Sequence, residues 1–158
     1  MQKITPFLWF DTLAEEAAKF YASVFPNSKI LKTARYGEAG PGPKGSVMTV
    51  EFELDGQRMI ALNGGPQFKF TEAISLSVDC KDQKEVDHYW TKLSQGGQES
   101  MCGWLKDKYG LSWQVNPAIL GQLLASPDAK KAKRVMEAML KMKKIDIAAL
   151  KAAAEKTS

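Results

Sequence analysis

The feature that most constrains the fold is an internal repeat. A segment with helical spacing of apolar residues at positions 13–24 returns 69 positions later, at positions 82–93. A repeat of this size predicts two similar modules related by a pseudo-twofold axis. The matched pairs are Glu16 with Glu85, Ala17 with Val86, Phe20 with Tyr89, Tyr21 with Trp90, and Val24 with Leu93.

Segments with strand character surround both repeated helices. Asp55-Gly56 predicts a hairpin turn in the first half, and Tyr109-Gly110 stands in the same place in the second. We expect side-chain caps from Thr12 with Glu15 and from Asp82 with Glu85. The predicted strands are 3–10, 29–36, 46–54 and 57–62 in the first half, and 73–79, 98–105 and 111–116 in the second.

These elements predict an α+β fold of two βαβββ modules with a C-terminal helical appendix. We expect one domain, 1–158, made of a first module at 1–66, a second at 72–117 and helices at 118–158. In the appendix, Ser126-Pro127-Asp128 predicts a helix start and Asp146 a cap for the last helix. The apolar stripe of the appendix must be buried, against the sheet or against a partner subunit.

Composition excludes several classes of protein. The 158 residues suit one compact unit, and the net charge of +4 is concentrated in the last 30 residues. That basic segment carries Met, Leu and Ala instead of aromatics, which favours a solvated helix face over nucleic-acid binding. No apolar run is long enough for a membrane span or a signal peptide, so we expect a cytoplasmic protein. The two cysteines are far apart, which indicates reduced thiols.

Several longer segments resemble a known family. Together with the repeated module they are similar to the vicinal oxygen chelate superfamily, which includes glyoxalase I, bleomycin resistance proteins and extradiol dioxygenases. Within it they resemble the PhnB-like group, whose domain is often labelled 3-demethylubiquinone-9 3-methyltransferase. The resemblance extends over nearly the whole chain, the C-terminal helices included. The segments are ITPFLWFD, AEEAAKFYASVFPNS, VEFELDGQRMIALNGGP, EAISLSVDC and CGWLKDKYGLSWQVNP.

The resemblance implies four inward strand positions where superfamily enzymes carry metal ligands. Here they fall at Pro6, at 60–62, at Ala73 or Ser75, and at Gln114, of which Gln114 alone has a ligand-type side chain. One neutral oxygen does not hold a catalytic ion, so we expect no metal. The chain also has no Gly-rich turn between a strand and a long helix. We therefore take the methyltransferase label as a family name and expect no cofactor.

The remaining candidate site is polar and uncharged. Strand alternation places Ser112, Gln114 and Asn116 on one face. Trp113 and Phe10 are further aromatic candidates whose face the sequence leaves open, and ordinary core packing is the alternative for all the aromatics. The predicted ligand-binding residues are Trp9, Asn63, Ser75, Ser77, Cys102, Trp104 and Gln114.

Nucleophilic catalysis finds little support. Cys102 is the one thiol considered as a nucleophile, but its neighbours offer no cation, and Cys80 is expected to be buried and inert. The sole histidine, His88, lies off the apolar stripe of its helix and is expected to face solvent. Since no second histidine exists, neither a triad nor a metal pair can form.

The leading hypothesis is a homodimeric protein that binds a small organic ligand, aromatic compounds among the candidates, in a metal-free cavity. Whether it is an enzyme stays open. One alternative is a metal- or thiol-dependent enzyme of the same superfamily, a lyase, a dioxygenase or the labelled methyltransferase. The other is a protein-interaction module built on the C-terminal helices.

Overall fold

The computed structural model describes residues 2–156 and divides into two compact units, Met1–Phe70 and Thr71–Ser158. In the first unit the sheet order is β1-β4-β3-β2, with β1 parallel to β4 and the other neighbours antiparallel. Its elements are β1 (Phe7–Phe10), α1 (Ala14–Val24), β2 (Lys29–Arg35), β3 (Val47–Leu54) and β4 (Gln57–Asn63).

The second unit repeats this topology and then adds helices. Its sheet order is β5-β8-β7-β6, again with one parallel pair, β5 with β8. The predicted α+β fold of two βαβββ modules with a helical appendix is therefore confirmed. The elements are β5 (Ser75–Cys80), α2 (Gln83–Ser94), β6 (Gln98–Glu99), β7 (Trp104–Lys106), β8 (Ser112–Pro117), α3 (Ala118–Leu124), α4 (Ala129–Met139) and α5 (Ile147–Glu155).

Each sheet buries one face against its helix. In the first unit Tyr21 of α1 lies against Phe52 of β3, with ring centroids 6.4 Å apart, and both side chains are fully buried. In the second unit α2 packs on β8 through a buried stripe at Val86, Trp90 and Leu93. Burial of each large apolar side chain contributes about 1.5–3 kcal/mol. The alternate strand residues therefore lie on an open face, away from the helix.

The two helices begin differently. As predicted, Asp82 caps α2, since its side chain accepts the N–H of Glu85 at 2.9 Å. The predicted cap at Thr12 and Glu15 is wrong, because α1 has no side-chain cap from its own N-cap residue. Instead, the N–H of Ala14 donates to Oδ1 of Asn63 at 2.8 Å. A residue at the end of β4 thus satisfies a helix donor that is otherwise unpaired.

The predicted strand at 98–105 is also wrong, because the chain reverses within it. Cys102 and Gly103 have φ values of 60° and 83°, in the left-handed region. This reversal splits the segment into β6 and β7, which pair antiparallel. The left-handed conformation is open to glycine but rare for other residues, so the Cys-Gly pair marks the turn.

The apolar stripe of the appendix is buried mainly among the appendix helices themselves, which neither of the two sequence alternatives named. Ile145, between α4 and α5, is fully buried with Leu120, Val135 and Leu150. Gln83 of α2 donates to the carbonyl of Ile145 at 3.0 Å.

The start of α5 is held by Gln83 as well, since its side-chain oxygen accepts the N–H of Ile147 at 2.8 Å. Asp146 caps α5 as predicted, at 3.1 Å from the N–H of Ala149. In α4 the cap is Asp128, so Pro127 precedes the helix instead of occupying its first position. None of the helices in the part of the chain described here has the length and apolar character needed to cross a bilayer.

Candidate functional site

The open face of the second sheet carries a row of polar side chains. Ser112, Gln114 and Asn116 alternate with the buried Trp113 and Val115 along β8, as predicted. The amide of Gln114 donates to Oγ of the Ser75 on β5 at 3.0 Å. Longer contacts join the amide nitrogen of Asn116 to Oγ of Ser77, at 3.5 Å, and to Oε1 of Gln114, at 3.4 Å.

A cavity of about 390 Å³ lies at the carboxyl end of β5 and β8. Three of the predicted site residues, Cys102, Trp104 and Gln114, line it together. Ser75 and Ser77 lie on the same sheet face and bond to the polar row, but they do not line the cavity. The lining residues are Asp79, Cys102, Trp104, Gln114, Asn116, Pro117, Ala118, Leu120, Gly121, Leu124 and Met139.

The lining has two parts. The polar floor is formed by Gln114 and Asn116, and the apolar wall by Leu120, Gly121, Leu124 and Met139. Gln114 and Asn116 supply amide donors and acceptors, and Trp104 supplies an aromatic ring. Asp79 is the one charged side chain among the lining residues, and it is exposed. The cavity is therefore suited to a neutral or cationic molecule and repels an anion.

The appendix fixes the turn that carries Cys102. The N–H of Cys102 donates to the carbonyl of Met142 at 2.7 Å, and the N–H of Gly103 donates to that of Lys143 at 2.8 Å. The thiol is half-buried and free. Its position in the cavity lining depends on the α4–α5 connection, which the sequence did not associate with it.

The other two predicted ligand residues lie in the first unit, where both take part in the structure. The side chain of Asn63 accepts from Ala14 and donates to the carbonyl of Val47 at 3.1 Å. The indole N–H of Trp9 donates to the carbonyl of Gly65 at 2.9 Å. Neither residue is among those that line the cavity of the second unit.

A second cavity, of about 470 Å³, lies in the first unit. Asn63 lines it, whereas Trp9 does not. Tyr36 is buried beneath it and donates its hydroxyl to the carbonyl of Asn63 at 2.6 Å. The lining residues come mainly from loops and include two carboxylates: Asp11, Thr12, Glu15, Tyr36, Pro41, Gly42, Pro43, Ser46, Val47, Asn63, Gly64, Gly65 and Pro66.

The remaining candidate residues stay outside both cavities. Trp113 is buried on the helix side, where its indole N–H donates to Oδ2 of Asp107 at 2.8 Å. Burial, with the nearby carboxylates of Glu85, Asp79 and Asp82 adding to it, raises the pKa of the Cys80 thiol to about 12. This thiol is fully buried and inert as a nucleophile at neutral pH. His88 is exposed, as predicted.

The donor chemistry does not fit a resident metal ion. Across residues 2–156, no group of three or more His, Cys, Asp or Glu side chains lies close enough to hold one. At the positions that the resemblance implies for metal ligands stand Pro6, residues 60–62, Ala73 or Ser75, and Gln114. A proline ring, an alkyl chain, a hydroxyl and one amide are not the ligand set of a catalytic divalent ion.

Sequence reasoning missed the apolar wall. Leu120, Gly121 and Leu124 come from α3, a seven-residue helix that follows β8 directly, and Met139 comes from α4. The signal for α3 was weak, because seven residues with an internal glycine show little periodicity. That the wall faces Gln114 and Asn116 is a tertiary fact with no local sequence signal.

Comparison with known proteins places the chain in a broader context. A family model described as 3-demethylubiquinone-9 3-methyltransferase matches residues 2–116. The match ends before α3, so the resemblance that we expected to include the C-terminal helices stops short of them. None of the curated proteins matches the chain.

Solved structures share the architecture. A PhnB protein from Bacillus cereus that carries the family's methyltransferase name is 43% identical, with a TM-score of 0.68, over 74% of this chain and 100% of that one. A protein from Pseudomonas aeruginosa is 20% identical, with a TM-score of 0.62, over 74% and 98%. The fosfomycin resistance protein FosX from Listeria monocytogenes is 14% identical, with a TM-score of 0.55, over 79% and 98%. The last two likenesses concern the fold alone.

Proposed function

Since this chain belongs to the 3-demethylubiquinone-9 3-methyltransferase family, with the glyoxalase/bleomycin resistance fold, we propose that it binds a small neutral organic ligand without a metal ion. The ligand site is the cavity lined by Cys102, Trp104, Gln114 and Asn116. The observation that carries the proposal is that one cavity contains an aromatic ring and two amide side chains. Such a lining stacks on a planar group and hydrogen-bonds its polar end.

The methyl transfer in the family name is not part of this proposal. A nucleotide-type cofactor is usually held at a Gly-rich strand–helix turn, against free N–H groups of the helix. Here the β1–α1 and β5–α2 connections contain no glycine. The first N–H of α1 donates to Asn63, and Asp82 caps α2. Neither α1 nor α2 therefore begins with the kind of turn that usually binds a nucleotide-type cofactor.

A thermal-shift experiment with benzamide tests the proposal. Benzamide combines a planar ring with one primary amide, and a ligand that binds only the folded protein must raise Tm. At ten times its Kd it raises Tm by a few degrees. We expect this shift in the wild type, its loss in Gln114→Leu, and its retention in Gln67→Leu, an exposed glutamine of the first unit outside both cavities.

Metal ions separate the proposal from the enzyme alternative. Zn²⁺, Ni²⁺, Mn²⁺ and Fe²⁺ are expected to leave Tm unchanged, because the lining offers no ligand set for them. A shift with one of these ions and none with benzamide would support a metal-dependent enzyme. No shift with either would support the interaction module built on the C-terminal helices.

We also propose that the protein is a homodimer. Ile4, Phe7, Phe68 and Ile74 are large apolar side chains that are more than half exposed. Burial of such side chains against a second copy would remove them from water, which favours association. Light scattering during size-exclusion chromatography is expected to give twice the 17.5 kDa chain mass. A mass of one chain at micromolar concentration would contradict the dimer.

A further inference from the structure

We infer that the C-terminal appendix makes the cavity selective for an amphiphile, a neutral or cationic polar head joined to an apolar tail. This inference rests on the proposed function and adds the ligand class and the residues that select it. Its basis is the division of the lining between the repeated βαβββ module and the added helices. The head lies at Gln114 and Asn116 on β8, and the tail lies against α3 and α4.

The wall is apolar and firmly placed. Leu120 belongs to the buried cluster around Ile145, and Leu124 and Met139 pack against that cluster while also lining the cavity. Methionine adapts its shape to varied apolar partners. An alkyl group placed here loses water contact on a surface that the protein already holds in position, which is the condition for a gain in affinity.

The floor selects the head group. Gln114 and Asn116 each have an amide oxygen and an amide nitrogen, so they pair with a group that both donates and accepts. Asp79 stands at the same end of the sheet as an exposed carboxylate. A carboxylate head would meet this charge and lacks a donor, whereas a primary amide has both functions.

The wall also lies outside the part of the chain that the family model matches. That match covers residues 2–116, whereas the first wall residue is Leu120. The polar floor therefore comes from the matched module and the wall from the added helices. Selection of an apolar tail is for this reason assigned to the appendix and not to the family module.

Gly121 provides a direct way to remove the space for a tail. It lines the cavity, and a Cβ added to it meets no atom within 4 Å. An added methyl group is therefore accommodated here, and a leucine is expected to extend into the cavity that Gly121 lines. An alanine adds one carbon and is the matched control, because both substitutions also remove a glycine from a helix and raise its helix propensity.

The experiment uses the full chain and a series of 4-alkylbenzamides, from benzamide to 4-butylbenzamide, titrated by calorimetry or intrinsic fluorescence. Each methylene is expected to increase affinity about two- to fourfold, the upper value being full burial of a CH₂ group. Gly121→Leu is expected to abolish the dependence of affinity on tail length, measured relative to benzamide binding by the same variant. Gly121→Ala is expected to keep most of that dependence.

Head-group selectivity is measured with 4-butylbenzoate and 4-butylbenzylammonium. The benzoate is expected to bind at least tenfold more weakly than the benzamide, and Asp79→Asn should narrow that difference. Equal affinity for 4-butylbenzoate and 4-butylbenzamide would overturn the head-group part of the inference.

The outcomes separate the inference from the proposed function. If no benzamide binds, the proposed function fails and the inference fails with it. If benzamide binds but affinity does not rise with tail length, the inference alone is overturned. The same conclusion follows if the gain with tail length persists in Gly121→Leu, because the tail then lies elsewhere.

Discussion

The two units share one topology but use the end of their last strand differently. In the first unit β4 ends at Asn63, whose side chain bonds to Ala14 and Val47. In the second unit β8 continues directly into α3, and the side-chain hydrogen bonds of Asn116 to other described residues are long, at 3.4 and 3.5 Å, beside the cavity. An asparagine at the end of the last strand is therefore structural in the first unit and available to a ligand in the second, according to its tertiary partners.

The largest expected effect compares one buried core residue from each unit. Ile145→Ala removes a fully buried side chain from the appendix cluster and is expected to lower the free energy of unfolding by about 2–5 kcal/mol. Ile145 also lies beside Gly103 in the turn that carries Cys102, so benzamide affinity should fall too. Urea unfolding and calorimetry measure the two effects.

The control is Met59→Ala in the first unit. Met59 is as deeply buried in its sheet, so a loss of stability of similar size is expected. Affinity for benzamide should remain unchanged in the folded fraction. Equal loss of affinity in both variants would show that the site depends on general stability and not on the appendix.

The two asparagines sharpen the contrast. Asn63→Ala leaves the N–H of Ala14 and the carbonyl of Val47 without their partner and is expected to lower the free energy of unfolding by about 1–3 kcal/mol. Asn116→Ala is expected to change it by less than about 1 kcal/mol, because its contacts are long. Affinity for benzamide should fall more in Asn116→Ala than in Asn63→Ala. A larger stability loss at Asn116 than at Asn63 would contradict the assigned roles.

The two thiols compare core with cavity. The half-buried Cys102 is expected to react with a thiol reagent in the native protein, whereas Cys80 should react only on unfolding. Because the folded pKa of Cys80 is raised to about 12, its contribution to stability is complete below the unfolded pKa near 9 and is lost as pH rises from 9 to 12.

Stability measured from pH 8 to 11 checks this sign. Above pH 9 the free energy of unfolding of Cys80→Ala is expected to fall less steeply with pH than that of the wild type. The two slopes should differ by at most about 1.4 kcal/mol per pH unit. Parallel curves, or fast native reaction of two thiols, would place Cys80 outside the core.

The smallest effect concerns Ser75 and Ser112, which lie on the same face of the second sheet. The hydroxyl of Ser112 is buried and has no hydrogen-bond partner among the described residues. Ser112→Ala removes that unpaired group and is expected to raise Tm by about 2–4 °C, corresponding to about 1 kcal/mol. Ser75→Ala should lower Tm, since Oγ of Ser75 accepts from Gln114. A lower Tm for Ser112→Ala together with a higher Tm for Ser75→Ala would show that the hydroxyl of Ser112 is hydrogen-bonded and that of Ser75 is not.

Local pattern predicted much of the fold. The shift of 69 positions transfers the start of α1 at Ala14 to the start of α2 at Gln83, and alternation along β8 placed Gln114 and Asn116 on one face. These features depend on neighbours a few residues apart, which the sequence displays directly.

The errors have long-range causes. The cap of α1 comes from Asn63, 49 residues away, whereas a capping box can be recognised only within one turn. The reversal at Cys102 requires positive φ at a non-glycine residue, and backbone bonds to the carbonyls of Met142 and Lys143 hold it. Of the site, the sequence predicted the polar row, because it follows from alternation along β8. It did not predict the apolar wall, because the positions of α3 and α4 depend on tertiary packing.

The central claim is that the ligand binds in the second unit and not in the first. Indole N–H signals in ¹H–¹⁵N NMR spectra test it directly, because Trp104 lines the cavity of the second unit while Trp9 bonds to Gly65, which lines that of the first. Titration with 4-butylbenzamide is expected to shift the Trp104 signal, assigned through Trp104→Phe, and to leave the Trp9 signal in place. A saturable shift at Trp9 with none at Trp104 would contradict the account.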